Sequence, residues 1–390
     1  MTVTERPRTV EWALLTYVVI VIGVLTLTPF RFDWNAPGAI AWFGDSGDAP
    51  ANVLLFLPVG YFFQLAAGPG RRRPITLALL AGAALSASVE CLQLFLPDRL
   101  TSFTDLLANA AGAALGAAVC QQLARRFRER APRLAGLEHP LVTVMYLLLP
   151  LMWLTAADVD HRPERVWMLA PLGAVGALIL GGLWQHQFAP VVRLTRPGVA
   201  LMIGLWFLLG SFTALFSAPV TVAACFMLVS LIALARLYVF QAGNRSERRF
   251  EQLVLVTVWP CYLVYLSMLV PWPAALAQVS FDFVVGYPEA AFDRMAALRI
   301  GEQFAALSLL GYLVAESRGR HQGTAMRRTT SSAAWVVLAV LVVELAHGFL
   351  PAESASLARF VLGCIGGGFG FSLYAGQLSL VRLLGGRAAA

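Results

Sequence analysis

Apolar runs of about 17 to 25 residues, the length that crosses a bilayer as a helix, alternate with short polar connections from one end of the chain to the other. The pattern predicts twelve spans, at 11–30, 52–68, 75–97, 102–123, 141–157, 166–187, 197–217, 219–240, 251–272, 302–316, 333–350 and 356–379. Polar residues that interrupt these runs gather around Ser86–Gly116, where two apolar helical runs meet at the turn Pro97-Asp98-Arg99. With the first run ending at Pro97, Ser86, Glu90 and Gln93 share one helix face, and Asp105, Asn109, Gly112 and Gly116 share a stripe on the second run. Counting about seven residues from the turn at 1.5 Å each predicts Glu90 and Asn109 at one depth, roughly 10 Å in.

Carboxylates inside a membrane are costly unless paired, protonated or wetted, so Glu90 and Asp105 with their amide neighbours form a candidate functional site. The competing reading is polar glue between the two helices, with Gly112 and Gly116 as a small-residue seam. Both readings stay open at the level of sequence.

The chain is 58% hydrophobic and 13% charged, which with the run lengths makes it an all-α, polytopic transmembrane bundle. Its balance of +7 is an orientation signal and not a nucleic-acid footprint, because the Arg residues cluster in alternate loops. Lys is absent and all 29 basic residues are Arg. Placing both termini in the cytoplasm puts the Arg-rich connections near 71–73, 125–133, 193–196, 245–249 and 318–328 inside. Arg31, Arg99, Arg162, Arg165, Arg294, Arg299 and Arg359 are then outside, and so is the 97–102 turn. The N-terminal run lacks a small-residue cleavage site and reads as a retained first span. The long connections 31–50 and 273–300, rich in aromatic and acidic residues, are expected to lie in the headgroup layer.

An internal repeat follows from moving the sequence by 254 residues, which aligns Glu90–Gly116 with Glu344–Gly370 without a gap. Glu90/Glu344, Phe95/Phe349, Leu96/Leu350, Pro97/Pro351, Ser102/Ser356, Gly112/Gly366 and Gly116/Gly370 match. A slightly smaller offset pairs Phe32-Asp33-Trp34 with Phe281-Asp282-Phe283, and Gly60-Tyr61 with Gly311-Tyr312. The organisation is a four-helix unit, 1–133, repeated in parallel as 250–390, with four further helices, 141–240, between them. In the second copy Gln93, Arg99, Asp105 and Asn109 become His347, Glu353, Arg359 and Gly363. The copies therefore cannot perform the same task.

The first unit resembles the VanZ-like family of bacterial membrane proteins. The resemblance rests on Leu27-Thr28-Pro29-Phe30, on the run from Asn52 through Phe56 and Pro58 to Gly60, and on Ser88-Val89-Glu90 with Gln93. Arg99, Asp105, Asn109, Gly112 and Gly116 complete it. It implies a protein of the bacterial cytoplasmic membrane linked to the cell envelope and to lowered glycopeptide susceptibility, and it supplies no reaction.

Six residues are the candidate ligand-binding set: Glu90, Gln93, Arg99, Asp105, Asn109 and Asn52. An Arg beside amides suits a phosphate or carboxylate, so a membrane lipid headgroup or a lipid-linked cell-wall precursor is the expected partner. Transport or lipid flipping is the second function class, and a membrane-embedded lipid-modifying enzyme the third. The five Cys lie in apolar runs without metal spacing, and the five His share no i, i+4 pairing, so neither a metal nor a cofactor is assigned. Asp158-Val159-Asp160-His161-Arg162 reads as a solvated charged loop in preference to a divalent metal site.

Overall fold

The computed structural model describes residues 8–28, 30–35, 37–38, 40–42, 48–68, 74–97, 101–130, 140–160, 163–185, 189, 194–239, 281–286, 294–319, 325–349 and 354–388. These residues fold into eleven α-helices and two strand pairs of two residues each. Eight helices are long and apolar enough to cross a membrane, and two shorter apolar helices lie at Leu141–Ala157 and Ala333–Gly348. Eleven of the twelve expected spans coincide with a helix, and the expected span 251–272 lies outside the described residues. Two compact units result: Met1–Glu138 with Asp293–Leu298 and Leu380–Ala390, and His139–Phe292 with Arg299–Ser379.

In the first unit, α1 (Thr9–Leu27), α2 (Asp48–Ala67), α3 (Pro74–Gln93) and α4 (Phe103–Arg130) form an all-helical bundle. Pro74 opens α3, where its missing N–H costs nothing. Arg8 donates to the Ala66 carbonyl at 2.9 Å, across the left-handed Gly68 that ends α2, so the start of α1 is tied to the end of α2. Leu79, Leu80, Leu107 and Leu115 are exposed, as expected of faces turned to lipid.

The tightest contact is between α2 and α4. A Cβ on Gly60 would lie 1.7 Å from the Ala113 carbonyl oxygen, one on Gly112 2.4 Å from that of Val53, and one on Gly116 1.8 Å from that of Leu57. The backbones therefore touch, which is what small residues four apart permit. The glycine seam expected between the two helices of the hairpin is in fact turned towards α2, because Asn109 and Ala113 occupy the side of α4 that faces α3.

Helix α3 ends at Gln93, four residues before the expected stop at Pro97. The Leu94 and Phe95 carbonyls accept from the backbone N–H groups of Gly38 and Asp33, at 2.6 and 2.7 Å. The connection after α1 thus closes onto the end of α3. It continues as β1 (Ile40–Ala41), paired in parallel with β2 (Thr101–Ser102), in the register Ile40 to Thr101 and Ala41 to Ser102.

The second unit contains α5 (Pro140–Ala157), a 3₁₀ turn (Pro163–Met168), α6 (Leu169–Leu183), α7 (Arg196–Ser217) and α8 (Pro219–Val239). It also holds most of α9 (Arg294–Gly319), α10 (Ala325–Gly348) and the greater part of α11 (Leu357–Ala388). A short strand β3 (Phe283–Val284) pairs in parallel with β4 (Ala355–Ser356). The strand register places Phe283 where the first unit has Ile40, so the expected pairing of Phe281-Asp282-Phe283 with Phe32-Asp33-Trp34 is not the register of the strands. Loops of different length need not keep one offset.

Candidate functional site

Polar side chains of the first unit converge where α3 gives way to α4. Ser102 is the N-cap of α4, its Oγ accepting from the Asp105 N–H at 3.4 Å. In a full capping box the carboxylate three residues on would take the cap residue's own N–H. Here Glu90, reaching across from α3, accepts it instead through Oε2 at 3.1 Å, and the Thr101 hydroxyl donates to the Glu90 carbonyl at 3.3 Å. Glu90 is only 7% exposed, and it sits at the positive end of α4, where a negative charge is favoured. Asp105 accepts from Asn52 Nδ2 on α2 at 2.7 Å. Three helices meet at the two carboxylates.

One turn deeper, Asn109 donates through Nδ2 to the Ser86 hydroxyl at 2.9 Å. Both residues are buried, and the Asn109 Oδ1 atom meets no donor among the described residues. Glu90 and Asn109 were expected at one depth, but Glu90 bonds to Ser102 and Asn109 to Ser86, one turn earlier on α3. Residues 94–97 and 101–102 leave helical geometry before α4 begins, so counting outward from Pro97 misplaces the two by a turn.

Of the six candidate residues, Glu90, Asp105 and Asn52 share one polar layer and Asn109 lies directly beneath. Gln93 points elsewhere, donating to the Thr26 carbonyl at the end of α1 at 3.0 Å. Arg99 lies outside the described residues. Aromatic rings flank the site: Trp34 lies 4.7 Å from Phe95 and Trp42 6.0 Å from Phe103, centroid to centroid. The Trp42 carbonyl accepts from Thr104 at 3.1 Å. The contribution of residues 40–42 leaves no side-chain signal in the sequence, because it is made by backbone.

The second unit holds a hairpin with the same backbone plan. Glu344 Oε2 accepts from the Ser356 N–H at 3.1 Å, and Ser356 Oγ caps the Arg359 N–H at 3.2 Å. A Cβ on Gly311 would approach the Gly367 carbonyl oxygen to 2.0 Å, and one on Gly370 that of Ser308 to 1.8 Å. The chemistry differs. Arg359 Nε lies 3.3 Å from Glu344 Oε2, and Gln303 donates to Glu344 Oε1 at 3.3 Å. The Ser86–Asn109 layer has become Val340 and Gly363, where an added Cβ would meet Val340 Cγ1 at 2.7 Å. Similarly Gly82 faces Ala113 in the first hairpin, whereas Val336 faces Gly367 in the second. Gln303 is a residue the sequence reading missed, although it follows Asn52 by the same offset that relates Gly60-Tyr61 to Gly311-Tyr312.

A separate buried network lies between α5, the 3₁₀ turn and α9. Arg165 pairs with Asp158 and reaches both Glu302 oxygens at 2.9 and 2.8 Å, while Thr155 donates to Glu302 Oε1 at 2.8 Å. Asp158 is 1% exposed, so it does not belong to a solvated loop as expected; the 3₁₀ turn folds Arg165 back over it. Arg359 is buried against Glu344.

No curated protein and no solved structure matches the chain. Residues 3–125 match the family model described as VanZ/LLP1. That stretch contains α1, α2, α3 and nearly all of α4, with Asn52, Glu90, Asp105 and Asn109 among its residues. The polar layer at the end of the α3–α4 hairpin therefore lies within the third of the chain that is similar to the VanZ/LLP1 family.

Proposed function

We propose that the protein binds a lipid headgroup, free or on a lipid-linked cell-wall precursor, in the outer leaflet of the bacterial cytoplasmic membrane. The carrying observation is the polar layer of Glu90, Asp105 and Asn52 at the end of the α3–α4 hairpin, built from membrane-spanning helices and flanked by the exposed rings of Trp34 and Trp42. Ionisable groups at such a place mark a functional site by default, and Trp at the headgroup level is the usual interfacial anchor. The alternation of Arg-rich connections supports an external position for this end, with both termini inside.

We also read residues 1–133 and 250–390 as two copies of one four-helix unit, of which only the first keeps the ligand chemistry. The matching caps and glycine seams support this, and the exchange of bulk across each layer fits divergence from one parent. Transport is the weaker reading, since secondary transporters place their site between repeats near the midplane. Lowered susceptibility to glycopeptides would follow from a bound or masked envelope lipid, and that link rests on family resemblance alone.

Lipid retained on gently purified protein, identified by mass spectrometry, tests the proposal. A defined headgroup class should be enriched on the wild type and lost in Asp105→Asn, which keeps hydrogen-bonding capacity while removing charge. Retained lipid that mirrors the bulk membrane in both proteins would overturn it.

A further inference from the structure

The buried polar clusters differ in charge balance. In the second unit Arg165 stands between Asp158 and Glu302, and Arg359 stands on Glu344, so these three carboxylates have a cation of the chain's own. Glu344 is served by donors from several sides: the Ser356 N–H, Gln303 Nε2 and Arg359 Nε.

Glu90 occupies the corresponding place in the first hairpin and has the same backbone donor, Ser102, at the same 3.1 Å. The residue three positions after the capping serine, which supplies the guanidinium in the second hairpin, is Asp105 in the first. Among the described residues no side chain donates to Glu90, although it is 7% exposed. A second acceptor points the same way. Asn109 is 5% exposed, its Nδ2 is committed to Ser86 in the seam one turn below Glu90, and its Oδ1 meets no donor among the described residues. Where one hairpin provides N–H groups on a positive charge, the other presents acceptors.

We infer that the first hairpin takes a primary ammonium group as ligand, Glu90 receiving from the site's occupant the N–H donors that Arg359 gives Glu344. This rests on the headgroup reading above and adds which chemical group the headgroup must carry. A primary ammonium is a compact cation with three donors, whereas a quaternary ammonium has none and a headgroup of phosphate and glycerol has no cation. The anionic part of a zwitterionic headgroup would remain for other residues.

The full chain in detergent, examined by native mass spectrometry and thermal melting, can decide this with phosphatidylethanolamine, phosphatidylcholine, phosphatidylglycerol and soluble ethanolamine as probes. The wild type should retain phosphatidylethanolamine about tenfold over phosphatidylcholine, a modest discrimination for one charge-assisted contact. Glu90→Gln should bring the two to parity. Asp105→Arg should do the same by placing the chain's own guanidinium on Glu90, and should melt no lower than wild type. Equal retention of the ethanolamine and choline lipids by the wild type together with no stabilisation by soluble ethanolamine, or a preference that survives in both variants, would overturn the inference. Specific retention of phosphatidylglycerol would overturn it while leaving the headgroup reading intact. Stabilisation by soluble ethanolamine without selective lipid retention would uphold the ammonium site and overturn the headgroup reading. Should Glu90→Gln fail to fold, Asp105→Arg decides alone, and an unfolded Asp105→Arg would refute the correspondence of the two hairpins on which the inference stands.

Discussion

Replacing Gly116 by Ala adds one methyl group at the point where α2 and α4 touch. Its carbon would lie 1.8 Å from the Leu57 carbonyl oxygen, 2.8 Å from the carbonyl carbon and 2.9 Å from the Tyr61 nitrogen. Neither helix can yield by a rotamer change, because the obstacle is backbone on both sides. The axes must separate locally by about 1.6 Å to restore a contact of 3.4 Å, and the contacts of Gly60 with Ala113 and of Gly112 with Val53 open with them. Overpacked cores lose about 1 to 3 kcal/mol when side chains can adjust, so a loss at or above about 3 kcal/mol is expected here. At roughly 2 to 4 °C per kcal/mol this is a fall of about 6 to 12 °C in melting temperature, followed as the fraction of detergent-solubilised protein still monodisperse after heating. Gly23→Ala is the matched control. A Cβ there has nothing within 4 Å, and removing a helical glycine should add about 0.5 to 1 kcal/mol. A Gly116→Ala protein as stable as wild type, or a Gly23→Ala protein equally damaged, would refute backbone contact as the basis of the seam.

Arg165→Met should cost about 3 to 5 kcal/mol, because it leaves Asp158 and Glu302 buried without their shared cation; thermal melting checks this, and an unchanged midpoint would contradict it. Gly363→Asn alone should destabilise the second hairpin by clashing with Val340 and Leu307. Adding Val340→Ser should recover about 0.5 to 3 kcal/mol by restoring the layer seen at Ser86 and Asn109, and strict additivity in denaturation would count against that layer being interchangeable. Topology reporters fused after Arg133 should be active inside and those inserted at Leu100 outside; an externally active fusion after Arg133 would reverse the map. A strain lacking the protein should differ from its parent in lipoglycopeptide susceptibility or envelope lipid profile, and identity in both would remove support for an envelope role.

The helices and the seam were legible because both follow from spacing: apolar runs set span length, and Gly112 and Gly116 four apart announce a close approach on one face. Glu90 and Asp105 stood out because a carboxylate in an apolar run has to be explained. Their partners were harder to read. Ser102-Phe103-Thr104-Asp105 is a local capping pattern, and nothing local tells that Glu90, twelve residues earlier, takes the N–H in place of Asp105. The early end of α3 depends on carbonyls claimed by Asp33 and Gly38, contacts made by backbone from a distant segment. Arg165 resembles a loop residue by position, and only the 3₁₀ turn brings it over Asp158 and Glu302. Gln303 could have been found from its offset to Asn52, had the alignment of the two copies been extended beyond the matching glycines and tyrosines.

The strand pair joining Ile40–Ala41 to Thr101–Ser102 also bears on how the protein is made. Its two halves are separated in the chain by α2 and α3, so the second half is synthesised only after both of those spans have emerged. Parallel pairing cannot form by a local turn; it requires the chain to cross and return first. Ser102 then caps α4 and offers its N–H to Glu90, while Thr104 fixes the Trp42 carbonyl. Insertion of the fourth helix thus completes the cap that Ser102 makes, and a chain arrested before Ser102 would carry Glu90 without its backbone donor.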